Sequence, residues 1–161
     1  MDLLTSFNAY GDDSSNQMRA IFASIFALQN RLQTIGDRLQ DGITMKQWLL
    51  LAMAEACPEP RTLTDVGTLM GCSRQNVKQL AAALERKGLV SLAHGPNNAV
   101  GVKLTPAAHA YMDRMAPVQA AALETLFRDL DNEEVGALFR AFGKLHEGAG
   151  RMERFAAGRP E

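Results

Sequence analysis

Arg74, Gln75, Lys78 and Gln79 stand at positions i, i+1, i+4 and i+5, so on a helix they share one side. Together they carry a guanidinium, two carboxamides and an ammonium. These are donors and acceptors that can meet the edges of bases, with positive charge that favours anions. Ser73 and Asn76 flank and interleave with them, and beside the positive end of a helix they suit phosphate oxygens. The same residue types solvate the outer face of many helices. The elements that hold them therefore decide between the two readings.

Leu63, Val66, Leu69 and Met70 repeat at helical spacing after a start signal at Thr62 and Asp65, and Gly71-Cys72 break the run before Ser73 caps a second helix. That second helix turns Val77, Leu80, Ala81 and Leu84 to one face, leaves Arg74, Gln75, Lys78, Gln79 and Ala82 pointing elsewhere, and stops at Gly88. Beyond Gly88 the period changes from helical to alternating. Leu89-Val90-Ser91-Leu92-Ala93 reads as a strand and His94-Gly95-Pro96-Asn97-Asn98 as a turn. On the return, Val100, Val102 and Leu104 alternate with Ala99, Gly101 and Lys103. A helix-turn-helix followed by a hairpin is an arrangement that sets its second helix in the major groove of DNA, with a wing beside it.

The run from Leu63 to Val77 resembles the winged helix-turn-helix of the MarR family of bacterial transcription regulators. Leu84-Glu85-Arg86-Lys87-Gly88-Leu89-Val90, Val102-Lys103-Leu104-Thr105-Pro106 and the upstream Ile43-Thr44-Met45-Lys46-Gln47-Trp48-Leu49-Leu50-Leu51 resemble it too, in the same order and spacing. The resemblance covers residues from about 16 to about 155. It implies a mainly α (α+β) fold in a single domain, 1–161. A winged helix-turn-helix unit over 44–104 is expected, flanked by long dimerisation helices over 16–40 and 105–155. On the recognition helix it carries DNA contact to Ser73, Arg74, Gln75, Asn76, Lys78 and Gln79.

The wing departs from the family. Relatives commonly have an Asp-Arg-Arg type run whose arginine enters the minor groove, whereas alignment from Leu104-Thr105 puts Pro96, Asn97 and Asn98 there. Asn97 and Asn98 keep hydrogen-bonding groups for a minor groove but bring no charge, and they serve equally as turn residues. Weaker or more salt-tolerant wing binding is expected.

A chain of 161 residues, 47% of them hydrophobic, suits one domain with a buried core. Its formal net charge of -1 does not advertise nucleic-acid binding, so any positive field must be local. Between Gly71 and Lys103, the cations Arg74, Lys78, Arg86, Lys87 and Lys103 face Glu85 alone, a local balance of +4. Asp2, Asp12 and Asp13 bias the front of the chain the other way. Cys57 and Cys72, with no secretory signal and no spanning apolar run, point to a cytoplasmic protein without disulfides and away from a membrane. Cys72, just before a helix N-terminus, is either a small turn residue or a redox-sensitive thiol. His94, His109 and His146 are too dispersed to hold a metal. There is no phosphate-binding glycine loop, no nucleophile with a base and no metalloprotease helix, so neither an enzyme nor a cofactor is expected.

The flanking helices show their apolar faces plainly. Residues 1–15 read as a loose arm, although Leu3, Phe7 and Tyr10 share a helical spacing. Met18, Ile21, Ile25, Leu28, Leu32, Ile35 and Leu39 form a seam that Phe22 and Phe26 widen, closed by Gly42. Thr44 with Gln47 starts the next helix, Trp48, Leu51 and Ala52 give its core side, and Cys57-Pro58-Glu59-Pro60 ends it. Thr105-Pro106 opens a helix to about Arg128, with stripes at Tyr111, Met115, Val118 and Ala122 and at Leu123, Leu126 and Leu130. Pro117 should bend this helix or interrupt its ladder near Asp113, but the stripe resumes in register beyond it, so the segment is read as one element. Asp131 with Glu134 caps a last helix carrying Val135, Leu138, Phe142, Leu145, Ala149 and Met152, before a frayed tail from Ala156.

Apolar-striped helices at both ends can pack against a second copy, which predicts a homodimer. Its two recognition helices would meet successive major grooves of double-stranded DNA about 34 to 36 Å apart, at a near-palindromic operator. The resemblance further implies a repressor released by a small-molecule effector. Met45, Met53, Trp48, Phe22 and Phe26 either line the effector cleft or are plain core. A reading from another class keeps the fold as an interaction module that binds a protein partner, with weak or no operator binding.

Overall fold

Side-chain caps set the helix starts. The structure, a computed structural model, describes residues 13–59, 61–95 and 99–158. Among these the order is α1 (Ser14–Leu39), α2 (Met45–Ala56), α3 (Leu63–Met70), α4 (Arg74–Arg86), β1 (Val90–His94), β2 (Val100–Leu104), α5 (Pro106–Phe127) and α6 (Asn132–Ala156). The fold is mainly α with one hairpin, as expected. Two compact units divide it, one ending at Met115 and the other beginning at Ala116.

In the first unit, α1 starts earlier than its apolar seam suggests. The Asp13 carboxylate accepts from the Ser15 amide at 3.1 Å and caps the helix, so Ser14 and Ser15 are helical rather than part of an arm. Leu3, Phe7 and Tyr10 lie outside the described residues. Reciprocal capping boxes open α2, through Thr44 and Gln47, and α3, through Thr62 and Asp65. Behind these starts lies a shared core: Leu50, Leu51 and Ala54 of α2, Val66 of α3, Val77, Ala81 and Leu84 of α4, and Val102 of β2. Leu69 is exposed, contrary to expectation. The two turns of α3 bury only the narrow stripe of Leu63, Val66 and Gly67, with Met70 half-buried, and Leu69 falls off its edge.

Two glycines make the turn between α3 and α4. Gly71 ends α3 in the left-handed region, at φ 61°, where side chains are rare. Gly67 permits close approach: a Cβ there would lie 3.1 Å from Val77 Cγ2 and 3.3 Å from the Cys72 carbonyl oxygen.

The hairpin pairs Val90 with Leu104, Leu92 with Val102 and His94 with Val100, while Ser91 meets Lys103 and Ala93 meets Gly101 on the other face. His94, read as a turn residue, is therefore in the strand. The Gly95 amide donates to the Ala99 carbonyl at 2.8 Å to close the loop. A further element joins from upstream. The Val102 amide donates to the Arg61 carbonyl at 3.1 Å and Thr62 bridges Gly101, so the segment before α3 lies along β2. Thr105 then caps α5 by accepting from the Ala108 amide at 3.2 Å, and its hydroxyl donates to the Gly88 carbonyl at 2.7 Å, tying the end of the wing to the end of α4.

α5 runs unbroken past Pro117, which has no amide to give the Asp113 carbonyl. In the second unit, Asp131 and Glu134 cap α6 reciprocally at 2.9 and 2.8 Å. None of the residues of α6 is buried. Its stripe of Val135, Leu138, Phe142, Leu145 and Met152 is exposed, and Phe139 and Phe155 are 81% and 85% exposed. Much of the α1 seam is also uncovered. Phe22 and Phe26 are 52% and 56% exposed, stacked edge to face with centroids 5.1 Å apart, so in this chain they are not plain core, whereas Trp48 and Met53 pack against it. Among the described residues no helix is long and apolar enough to cross a membrane.

Candidate nucleic-acid interface

α4 turns its apolar side into the core and leaves its other side outward. Arg74, Gln75, Asn76, Lys78 and Gln79 are all exposed over the first two turns, while Val77 between them is fully buried. Ser73 is the N-cap, its hydroxyl oxygen accepting from the Asn76 amide at 3.3 Å. These six predicted residues thus come together at the positive end of one helix. Asn97 and Asn98 lie outside the described residues, as does Pro96. Lower on the wing, Ser91 and Lys103 are paired across the strands and both exposed.

Two charged groups near the end of α4 make contacts that the spacing of residues does not reveal. The Glu85 carboxylate accepts from the Leu92 amide at 2.9 Å and fastens the wing to the helix. The Lys87 ammonium donates to the Gly42 carbonyl and reaches Gln47 Oε1 at 3.4 Å. In sequence both look like ordinary last-turn charges before Gly88. Their partners are 7 and 45 residues away, so no helical or strand period links them.

At the entry to the unit, the Thr62 hydroxyl and then its amide hold the Asp65 carboxyl below its ordinary value, which keeps it an anion that can cap α3. Cys72 is half-buried in the turn and Cys57 is buried at the end of α2; both are free thiols. Among the described residues no three His, Cys, Asp or Glu side chains gather as a metal site would require.

The fold that holds this helix and wing is shared with a large group of solved proteins. A MarR/EmrR family transcriptional regulator from Acinetobacter sp. ADP1 matches with a TM-score of 0.74 and 17% identity, over 83% of this chain and 96% of that one. The chain has the MarR fold. Staphylococcus aureus MepR, solved as a DNA complex, shares this fold at a TM-score of 0.70 and 18% identity, over 79% of this chain and 96% of its own. Bordetella bronchiseptica BpsR, whose DNA binding is regulated by 6-hydroxynicotinic acid, shares it at 0.69 and 20%, over 78% and 98%. No sequence-family model matches the chain, and no curated protein sequence does. The likeness is one of fold.

Proposed function

We propose that the chain is a homodimeric, sequence-specific DNA-binding transcription regulator, a cytoplasmic repressor of a near-palindromic operator that a small-molecule effector releases. The observation that carries this reading is the exposed face of α4, where Ser73, Arg74, Gln75, Asn76, Lys78 and Gln79 stand together on a helix anchored by its buried side. Arg74 and Lys78 suit guanine edges, Gln75 and Gln79 suit adenine, and Ser73 and Asn76 suit the flanking phosphates. Asn97 and Asn98, read from the sequence alone as wing residues, add uncharged hydrogen bonds in the minor groove. The role is one of binding, not catalysis.

The apolar stripe exposed on α1 and, separately, that exposed on α6 support a homodimer, since a large exposed apolar face marks an interaction site. Two fold relatives support DNA binding and a small-molecule effector: MepR was solved with DNA, and the DNA binding of BpsR is regulated by 6-hydroxynicotinic acid. An effector acts by binding two arrangements of the dimer unequally. Selection of bound duplexes from a random library tests the reading. The expected product is an inverted repeat with half-site centres about 10 to 10.5 base pairs apart. If no motif is enriched, a winged-helix module that binds a protein partner takes its place.

A further inference from the structure

The connector between α1 and α2 is held from every side. The Asp37 carboxylate accepts from the Met45 amide at 2.6 Å, across the corner. From α5, the buried Tyr111 hydroxyl donates to Gln40 Oε1 at 2.8 Å, and Arg114 pairs with Asp41 at 3.2 Å while lying 5.2 Å over the Tyr111 ring. From α4, Lys87 donates to the Gly42 carbonyl and reaches Gln47. Three successive connector residues, Gln40, Asp41 and Gly42, are therefore gripped by α5 on one hand and by the end of the recognition helix on the other.

We infer that Lys87 is a positioning residue: its ammonium fastens the C-terminal end of α4 to the α1–α2 connector, so the recognition helix moves with α1 and α5, and its charge does not serve as a phosphate contact. Lys87 and its neighbour Arg86 are both exposed, and both would be counted toward the local positive field. The engagement of Lys87 with a carbonyl and an amide oxygen sets it apart. A change in the packing of α1 or α5 then reaches the reading face through a chain of hydrogen bonds, with no effector near α4.

Hydrogen exchange and DNA titration test this with Lys87→Met, Lys87→Arg, Arg86→Met and Tyr111→Phe in the full chain. Lys87→Met should speed exchange both in the connector around Gly42 and in the last turn of α4, Arg86→Met should leave the connector unchanged, and Lys87→Arg should restore protection. Equal connector protection in Lys87→Met and the native chain overturns the inference, whether or not DNA binds. The titration arm rests on the proposed DNA-binding function. There Lys87→Met should weaken specific binding on the order of tenfold with the salt slope unchanged. A slope reduced by about 0.9, with specific and non-specific binding weakened alike, would make Lys87 a phosphate contact and overturn the inference. Tyr111→Phe, which loosens the same connector from α5, should reproduce the loss at unchanged slope even if Lys87→Met folds poorly; full affinity in Tyr111→Phe contradicts the coupling. If the native chain binds no duplex, the proposed function fails and the exchange arm decides this inference alone.

Discussion

Asp65 accepts from the Thr62 hydroxyl at 2.7 Å and from the Thr62 amide at 2.9 Å, and these bonds lower its pKa. A carboxyl whose folded value lies below its unfolded one, near about 3.9, stabilises the fold above that pH and loses the contribution as pH falls through the folded value. Asp65→Asn should therefore lower the melting temperature at neutral pH, and the deficit should shrink as pH is taken through about 4 toward 3. A deficit that stays constant over that range would mean the charge plays no part. Gly67 allows a second prediction. Alanine there would press on Val77 and on the Cys72 carbonyl, so Gly67→Ala should cost about 1–3 kcal/mol in urea unfolding, and an unchanged midpoint would show that the two helices can part. These two residues also mark what was legible at this scale. Thr62 and Asp65 are three apart and announce a cap, whereas the crowding at Gly67 depends on Val77 returning from the next helix.

The hairpin and α4 form one mechanical element through Glu85, which is also the sole acid between Gly71 and Lys103. Glu85→Gln keeps an oxygen that can accept from the Leu92 amide and removes a negative charge from beside the proposed DNA-binding face. Operator affinity should then rise several-fold at low salt, with the gain fading as salt screens it. If affinity falls instead, the wing needs the stronger acceptor. Helix starts at Thr44, Thr62, Ser73, Thr105 and Asp131 were readable because a cap and its partner lie within one turn. Less readable were the extension of α1 to Ser14, the strand pairing of His94, and the alignment of Arg61 and Thr62 along β2. The last two depend on register between segments, which local period does not encode. The unbroken run of α5 through Pro117 followed from a stripe that resumes in phase beyond it.

At the scale of the molecule, the apolar stripes were visible in sequence, but whether the chain covers them itself was not. Phe22, Phe26 and the whole stripe of α6 remain exposed. In the proposed homodimer a second copy covers them, so Leu138→Glu/Phe142→Glu should give a monomer by sedimentation. It should keep cooperative unfolding of the winged unit and lose operator binding. A dimer that survives both charges would place the interface elsewhere. The role proposed for α4 is to read DNA. Its most direct test is a titration of the selected duplex at several salt concentrations with the native protein and with Arg74→Ala/Lys78→Ala. The native protein should bind tightly and sequence-selectively, with affinity that falls steeply with salt, and the variant should bind at least about tenfold more weakly with selectivity relaxed. Weak binding, equal for any sequence and the same in the variant, would contradict that role.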